Sequence, residues 1–335
     1  MKLDAQLAPH TKLRYIPEVA AAAEQVGFST LWVAETQHNP FLPGVLIAEH
    51  TERLKFGTAI AVSFARSPAV MAHTAWDLAE MSRGRFILGV GTQVKAHITR
   101  RFGMPWPDSV TGKLREQVQV MRGFWHNWQE NEKLSHKGEY YRINLTSPFF
   151  VPASHPNPEI PIFIAGVNIG LAKLAGEVAQ GFHAHPFHTR EYLAEVVVPA
   201  IQTGAEKAGR KREDIEVVAN AFVVTSELER EIVRQQISFY ASTPSYRSVF
   251  ELHGWEDVRE ALSEKAKNQD WATMGELITD EIVDQFATTA EPGNLAAALK
   301  ERYAGLAERI NLYIPFIPGE RDEFWRSLAA DFNQD

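Results

Sequence analysis

Short, nearly continuous apolar runs alternate with longer amphipathic ones along most of the chain. KLDAQLA (2–8), STLWVAE (29–35), LKFGTAIAV (54–62) and RFILGVGTQ (85–93) read as strands, and between them 14–28, 42–51 and 67–82 repeat apolar residues at helical spacing. Ser67 and Pro68 form a cap and first-turn pair for the third helix, and Gly84 lies just past its end. A long helix is predicted over 109–129. The alternation resumes with strands at 161–167, 181–187 and 215–225, helices at 170–180 and 190–209, and a last strand at 308–316.

Eight strands, apolar enough to be buried on both faces and separated by helices, predict an α/β fold: a (β/α)8 TIM barrel occupying 1–335 as a single domain. Two stretches break the rhythm. Residues 136–159 are rich in aromatics, prolines and polar residues and form a long excursion, of a kind that is usually functional. Residues 226–305 are almost wholly helical and polar, a helical insertion between strands seven and eight that can roof the barrel mouth.

Composition then removes whole classes of function. The 335 residues are 45% hydrophobic and 23% charged, as in an ordinary globular protein. With 34 basic and 42 acidic residues the net charge is -8, which argues against a nucleic-acid partner. There is no cysteine, so disulfides, thiolate metal sites and a cysteine nucleophile are excluded, and any redox chemistry has to come from a bound cofactor. No apolar run reaches the roughly 18 residues of a membrane span, and the N-terminus lacks a signal-peptide apolar region. The expectation is a cytoplasmic protein with no membrane partner.

In such a barrel the loops at the carboxyl ends of the strands build the active site. That selects Glu35, Thr36, Gln37 and His38 after strand two, 59–63 after strand three, Gly89 to Gln93 after strand four, Ala165, Gly166, Val167 and Asn168 after strand five, and 183–188 after strand six. Gly89 and Gly91 leave backbone where a flat ring could approach, or simply turn the strand into its helix. The helix opened by AGVNIGLAK has free N–H groups suited to a phosphate, or is an ordinary connection. His183 and His185 form an H-x-H pair with His188 nearby, but no third ligand at metal spacing follows, so polar lining of a pocket is expected and no metal. Ser-hydrolase, Walker A and GxGxxG motifs are missing.

The blocks GFSTLWVAETQHNPF, LKFGTAIAVSFARSPAVMAHTAWDLAEMSRGRFILGVGTQ, HKGEYY, IPIFIAGVNIGLAKLAGEVAQGF and STPSYRSVFELHGW make the chain resemble the bacterial luciferase-like superfamily over essentially its whole length. QVKAHITRRFG, HPFHTREYL and STPSYRSVFELHGW look most like the branch that uses the deazaflavin coenzyme F-420, with FMN as the alternative cofactor. The resemblance implies a cis peptide at Ala59-Ile60 supporting the cofactor ring, cofactor contacts from Gly91, Thr92, Gln93, Ala165, Gly166, Val167, Asn168 and His185, and an acidic position at Glu35. Many relatives carry histidine after that acid. Here it is Thr36, which leaves His38 as the candidate proton donor.

The anionic cofactor tail needs cations, for which Lys95, Arg100, Arg101, Arg190 and above all Arg247 are candidates. Phe41, Trp106, Phe149, Phe150, Phe187 and Tyr246 suggest a cavity for an apolar or ring-containing substrate. Three readings stay open: an F-420-dependent hydride-transferring oxidoreductase, an FMN-dependent monooxygenase supplied by a separate reductase, and a non-catalytic flavin-binding protein. Relatives are often dimers packed through early barrel helices, which makes 71–81 the expected face of a homodimer.

Overall fold

The structure, a computed structural model, describes residues 1–334. Eight parallel staves close into a barrel: β1 (Lys2–Leu7), β2 (Thr30–Val33), β3 (Lys55–Thr58 and Ala61–Val62), β4 (Phe86–Gly91), β5 (Ile162–Gly166), β6 (Gly181–Ala184), β7 (Glu216–Val224) and β8 (Arg309–Phe316). Each pairs in parallel with its neighbour in chain order, and β8 closes on β1. Helices on the outside connect them. The third, Pro68–Met81, starts where its residues dictate: Ser67 Oγ accepts from the Val70 amide and Pro68 supplies a fixed first turn.

The core has two compartments. A large one lies between staves and helices, and a small one inside the barrel holds Trp32, Ile87, Phe163 and Val218, with Ala59 against it. Side chains alternate in and out along a strand, so the inward set continues through Asp4 and Gln6 on β1, Asn220 on β7, and Arg309, Asn311 and Tyr313 on β8. The amino-terminal end of the barrel is plugged. Arg309 and Asp4, 1% and 0% exposed, meet at 2.8 Å, with Glu216, Thr30 and the Trp32 indole completing the network.

Four expectations need revision. The single run read over 54–62 is two segments, Lys55–Thr58 and Ala61–Val62, with the cis peptide that the resemblance implied at Ala59-Ile60 between them. Strand two ends at Val33 and not at Glu35, so Glu35 already lies on the irregular loop that carries Thr36 and His38. The excursion contains a small antiparallel hairpin pairing His136–Lys137 with Arg142–Ile143, held by Glu116, whose carboxylate accepts the amides of Glu139, Tyr140 and Tyr141. The insertion is not wholly helical: Ala287–Thr289 is a short strand pairing with the far end of β7.

Candidate active site

Exposure changes along each stave. At the amino-terminal end the inward side chains are sealed, whereas Gln6, Ala59, Ala165, His185, Asn220 and Tyr313, further along, are partly exposed. The barrel is open at its carboxyl-end mouth. The wall is built from the strand tips, and the insertion supplies a lip: Tyr240, from helix Glu227–Ala241, and Tyr246 pack on His185 at 4.7 and 4.8 Å between ring centroids. The Tyr240 and Tyr313 hydroxyls meet at 2.6 Å. Of the aromatics singled out by sequence, Phe187 and Tyr246 join this cluster, 5.9 Å apart. Phe149 and Phe150 are exposed, and Trp106 packs edge-on against Phe64.

Three histidines follow one another on and after β6: His183 and His188 are buried, His185 is partly exposed at the mouth, and all three are pushed down from the usual histidine value. His183 lies inside the barrel, 4.5 Å from the Trp32 ring and 5.5 Å from Phe163, and neither ring nitrogen has a partner. Burial, with Arg309 in the same interior, pushes it down to about 3. His185 is pushed down to about 3 by burial and by His188, and its Nδ1 accepts the Phe187 amide at 3.1 Å. His188 turns away, bonding the His185 carbonyl and the Tyr303 hydroxyl. The three rings therefore face three different environments and do not converge.

Glu35 is fully engaged. Arg66 clasps its carboxylate with two bonds of 2.7 Å, and the Val62 amide donates a third at 2.6 Å. Arg66 also bonds the Val62 carbonyl and lies over the Phe41 ring. The acid just after β2 thus grips the far side of the break in β3. Thr36 and His38 are exposed on the same loop, and the Thr36 carbonyl accepts from Arg101.

The glycines of the GVGT turn serve the barrel wall. A Cβ on Gly89 would fall 1.7 Å from the Thr58 carbonyl oxygen, and one on Gly91 would fall 2.8 Å from the Ile60 side chain. The free space therefore holds β3 and is not left for a ring at these two positions. Beyond them Thr92 is buried and Gln93 turns through the left-handed region at φ 59°, its side chain accepting the Val94 amide.

On the far rim, Asn168 and Arg247 are brought together. Asn168 donates to the Ser245 carbonyl and accepts from Ser248, while Tyr192 bonds the Val167 carbonyl. Asn168, Ser245, Arg247 and Ser248 line a groove of about 380 Å³, in which Arg247 faces Glu251 at 3.7 Å. Among the other candidate cations, Arg101 is used on the Thr36 loop, and Arg190 donates to the Arg302 carbonyl in a different groove, lined by Arg230 and Asp284.

Gln6, Asn220, Tyr313, Arg66 and Tyr240 are absent from the sequence-based site. The first three had a signal: each is a polar-tipped residue at an inward position midway along an apolar strand or beyond. Tyr240 had none, since its helix reaches the mouth only in three dimensions.

A family profile described as luciferase-like monooxygenase matches residues 1–309. An uncharacterised protein of Mycobacterium tuberculosis is 39% identical over 340 residues, covering 100% of this chain and 98% of its own. The F-420-dependent glucose-6-phosphate dehydrogenase of Intrasporangium calvum is 26% identical over 334 residues, covering 95% and 93%. The solved coenzyme F-420-dependent tetrahydromethanopterin reductase of Methanopyrus kandleri superposes with a TM-score of 0.81 at 22% identity, covering 98% and 97%. With the closed eight-stave barrel and its open carboxyl-end mouth, these findings place the chain in the luciferase-like oxidoreductase family.

Proposed function

We propose that this protein is an oxidoreductase that moves a hydride between coenzyme F-420 and an organic substrate. The observation that carries the reading is the uncharged, ring-lined mouth, joined on its rim to a groove bearing Arg247. Full-length similarity to a dehydrogenase that uses the same coenzyme supports it. The residues suit such a group. The small side chains of Ala59 and Ala165 suit a flat ring at the mouth, and the unpartnered nitrogens of His183 and oxygen of Asn311 give the interior below it unused polar atoms. Ala59, Ile60, Thr92, Gln93, Ala165, Val167 and His185 would hold the ring, with Gly91 and Gly166 behind them, their open sides filled by Ile60 and Leu171. Asn168 and Arg247 would hold the anionic tail.

When bound, F-420 supplies a two-electron hydride from a ring with little oxygen reactivity. What the chain contributes is placement and dryness. Glu35 and Arg66 fix the divided strand three, His185 stays neutral, and Tyr240 and Tyr246 shield the mouth from water. On the same reading the protein works in the cytoplasm, and its second copy packs on helix Pro68–Met81, where Val70 and Met81 are exposed. Light scattering that reads a monomer contradicts the pairing.

Fluorescence titration of the purified chain with F-420 and with FMN tests the reading. Tighter binding of F-420 is expected. A preference of about tenfold or more for FMN, roughly 1.4 kcal/mol, would move the assignment to the monooxygenase supplied by a reductase.

A further inference from the structure

The partly exposed inward residues of the mouth, Gln6, Ala59, Ala165, Asn220 and Tyr313, are uncharged, and the Glu35 and Arg66 charges beside them cancel in a bidentate pair. Adding a hydride to a carbon moves an electron pair onto a neighbouring atom, which then needs a proton or a hydrogen bond. Among the described residues the inward side chains offer no ammonium or guanidinium for this above the sealed Asp4 and Arg309 pair, and Arg321, which shares a groove with Tyr313, is held by Glu229 at 2.6 Å. It offers hydroxyls.

Tyr313, past the midpoint of β8, and Tyr240, from the insertion, are bonded hydroxyl to hydroxyl at 2.6 Å. Two hydroxyls carry two protons, and the bond between them uses one. The second O–H has no partner among the described residues, so it is left for a ligand. His185 stands beside the pair, edge-on to Tyr240. Because its Nδ1 accepts the Phe187 amide, its proton sits on Nε2, a second uncharged donor without a partner among the described residues. Burial and the neighbouring Tyr313 push the Tyr240 hydroxyl up, which keeps its proton in place near neutrality.

The geometry points to the Tyr240 and Tyr313 hydroxyl pair as the proton donor of this site, acting on an uncharged substrate that presents an oxygen acceptor, with His185 Nε2–H as a neighbouring hydrogen-bond donor. The inference rests on the oxidoreductase reading for the source of the hydride. A hydride from the reduced deazaflavin forms a C–H bond at a carbonyl carbon, and the π pair becomes a lone pair on oxygen. The free O–H of the pair protonates that oxygen, the second hydroxyl passes its proton across the short bond, and solvent restores the last one. The carbonyl is reduced to an alcohol by two electrons. A reduced deazaflavin bound here would supply those two electrons and release one further proton to solvent, which would balance the proton taken up by the pair.

The test uses wild type, Tyr313→Phe, Tyr240→Phe and the double variant, each of which keeps its rings, with melting temperature confirming which variants fold. Cyclohexanone labelled with carbon-13 at the carbonyl is the probe, and NMR reads its carbonyl shift on the cofactor-free chain. Wild type is expected to move the shift downfield. Each single variant frees the O–H of the tyrosine that remains, so the folded single variants should keep part of the shift. The double variant, Tyr240→Phe with Tyr313→Phe, should lose most of it and bind the ketone about tenfold more weakly, the value of one neutral hydrogen bond. A wild-type chain that leaves the carbonyl shift unmoved, or a folded double variant that keeps the wild-type shift, overturns the proposal. F-420 titration of the same proteins is a separate readout: affinity retained within a few fold in all of them is expected, and failure of wild type to bind F-420 sinks the cofactor reading without touching the ketone result.

Discussion

Glu35 was legible as an important residue and not as the kind it is. Its place after strand two marked it as an acid of the site, yet its carboxylate is spent on Arg66 and the Val62 amide. What hid this was distance in sequence, since 31 positions separate the two charged partners. With side chains only 8% and 17% exposed, the pair behaves as partly buried, and removing one charge leaves the other without compensation. Glu35→Gln is therefore expected to cost about 3 kcal/mol, read as a lower urea midpoint with an unchanged slope. A loss under about 0.5 kcal/mol, the range of an exposed pair, would show that the clasp contributes nothing. His185 shows the reverse. Its motif suggested pocket lining, and its packing against two insertion tyrosines supports that role, but its tautomer depends on a backbone bond that no spacing reveals.

At the level of elements, hydrophobic periodicity located all eight staves because parallel barrel strands are buried on both faces. It failed where long-range contacts decide. Strand three reads as one run, LKFGTAIAV, and is divided by the cis peptide that the family resemblance, not the periodicity, pointed to. The strand at Ala287–Thr289 is too short to announce itself among polar helices. Gly89 looked like a place for a ligand to approach, but the Thr58 carbonyl already fills the space, and the Thr58 hydroxyl bonds the Gly89 carbonyl at 2.6 Å. A methyl group there must push β3 and β4 apart. Gly89→Ala is accordingly expected to destabilise the fold by about 2–3 kcal/mol, the cost of overpacking against backbone, in a thermal or denaturant melt. An unaffected midpoint would mean that the staves can separate freely at this point.

For the molecule as a whole, neutral histidines set the response to acid. His183 and His185 are held down to about 3 and His188 to about 4, chiefly by burial. An unfolded histidine takes up its proton near pH 6.5, so below that value the unfolded chain binds protons that the folded one refuses, and stability falls with pH. Asp4 acts the other way. Burial pushes it up to about 6 despite Arg309, so between about 6 and 3.8 the folded chain holds a proton that the unfolded one has lost. Three histidines against one carboxyl leave a net loss. Glu116, Glu177, Glu216 and Glu229, all held below the usual carboxylate range, despite burial, by their hydrogen bonds and cations, add to it as pH nears 4.5. The total is on the order of 1–3 kcal/mol per pH unit between pH 6 and 4.5. Urea unfolding at several pH values should show it, and a flat profile over that range contradicts the burial of His183 and His188. The most direct test of the account is a crystal structure of the chain grown with equal, saturating F-420 and FMN. The account predicts the deazaflavin at the barrel mouth, its ring against Ala59, Ile60, Ala165 and His185 and its tail toward Asn168 and Arg247. FMN in that place, or a ring bound away from the carboxyl ends of the strands, would contradict it.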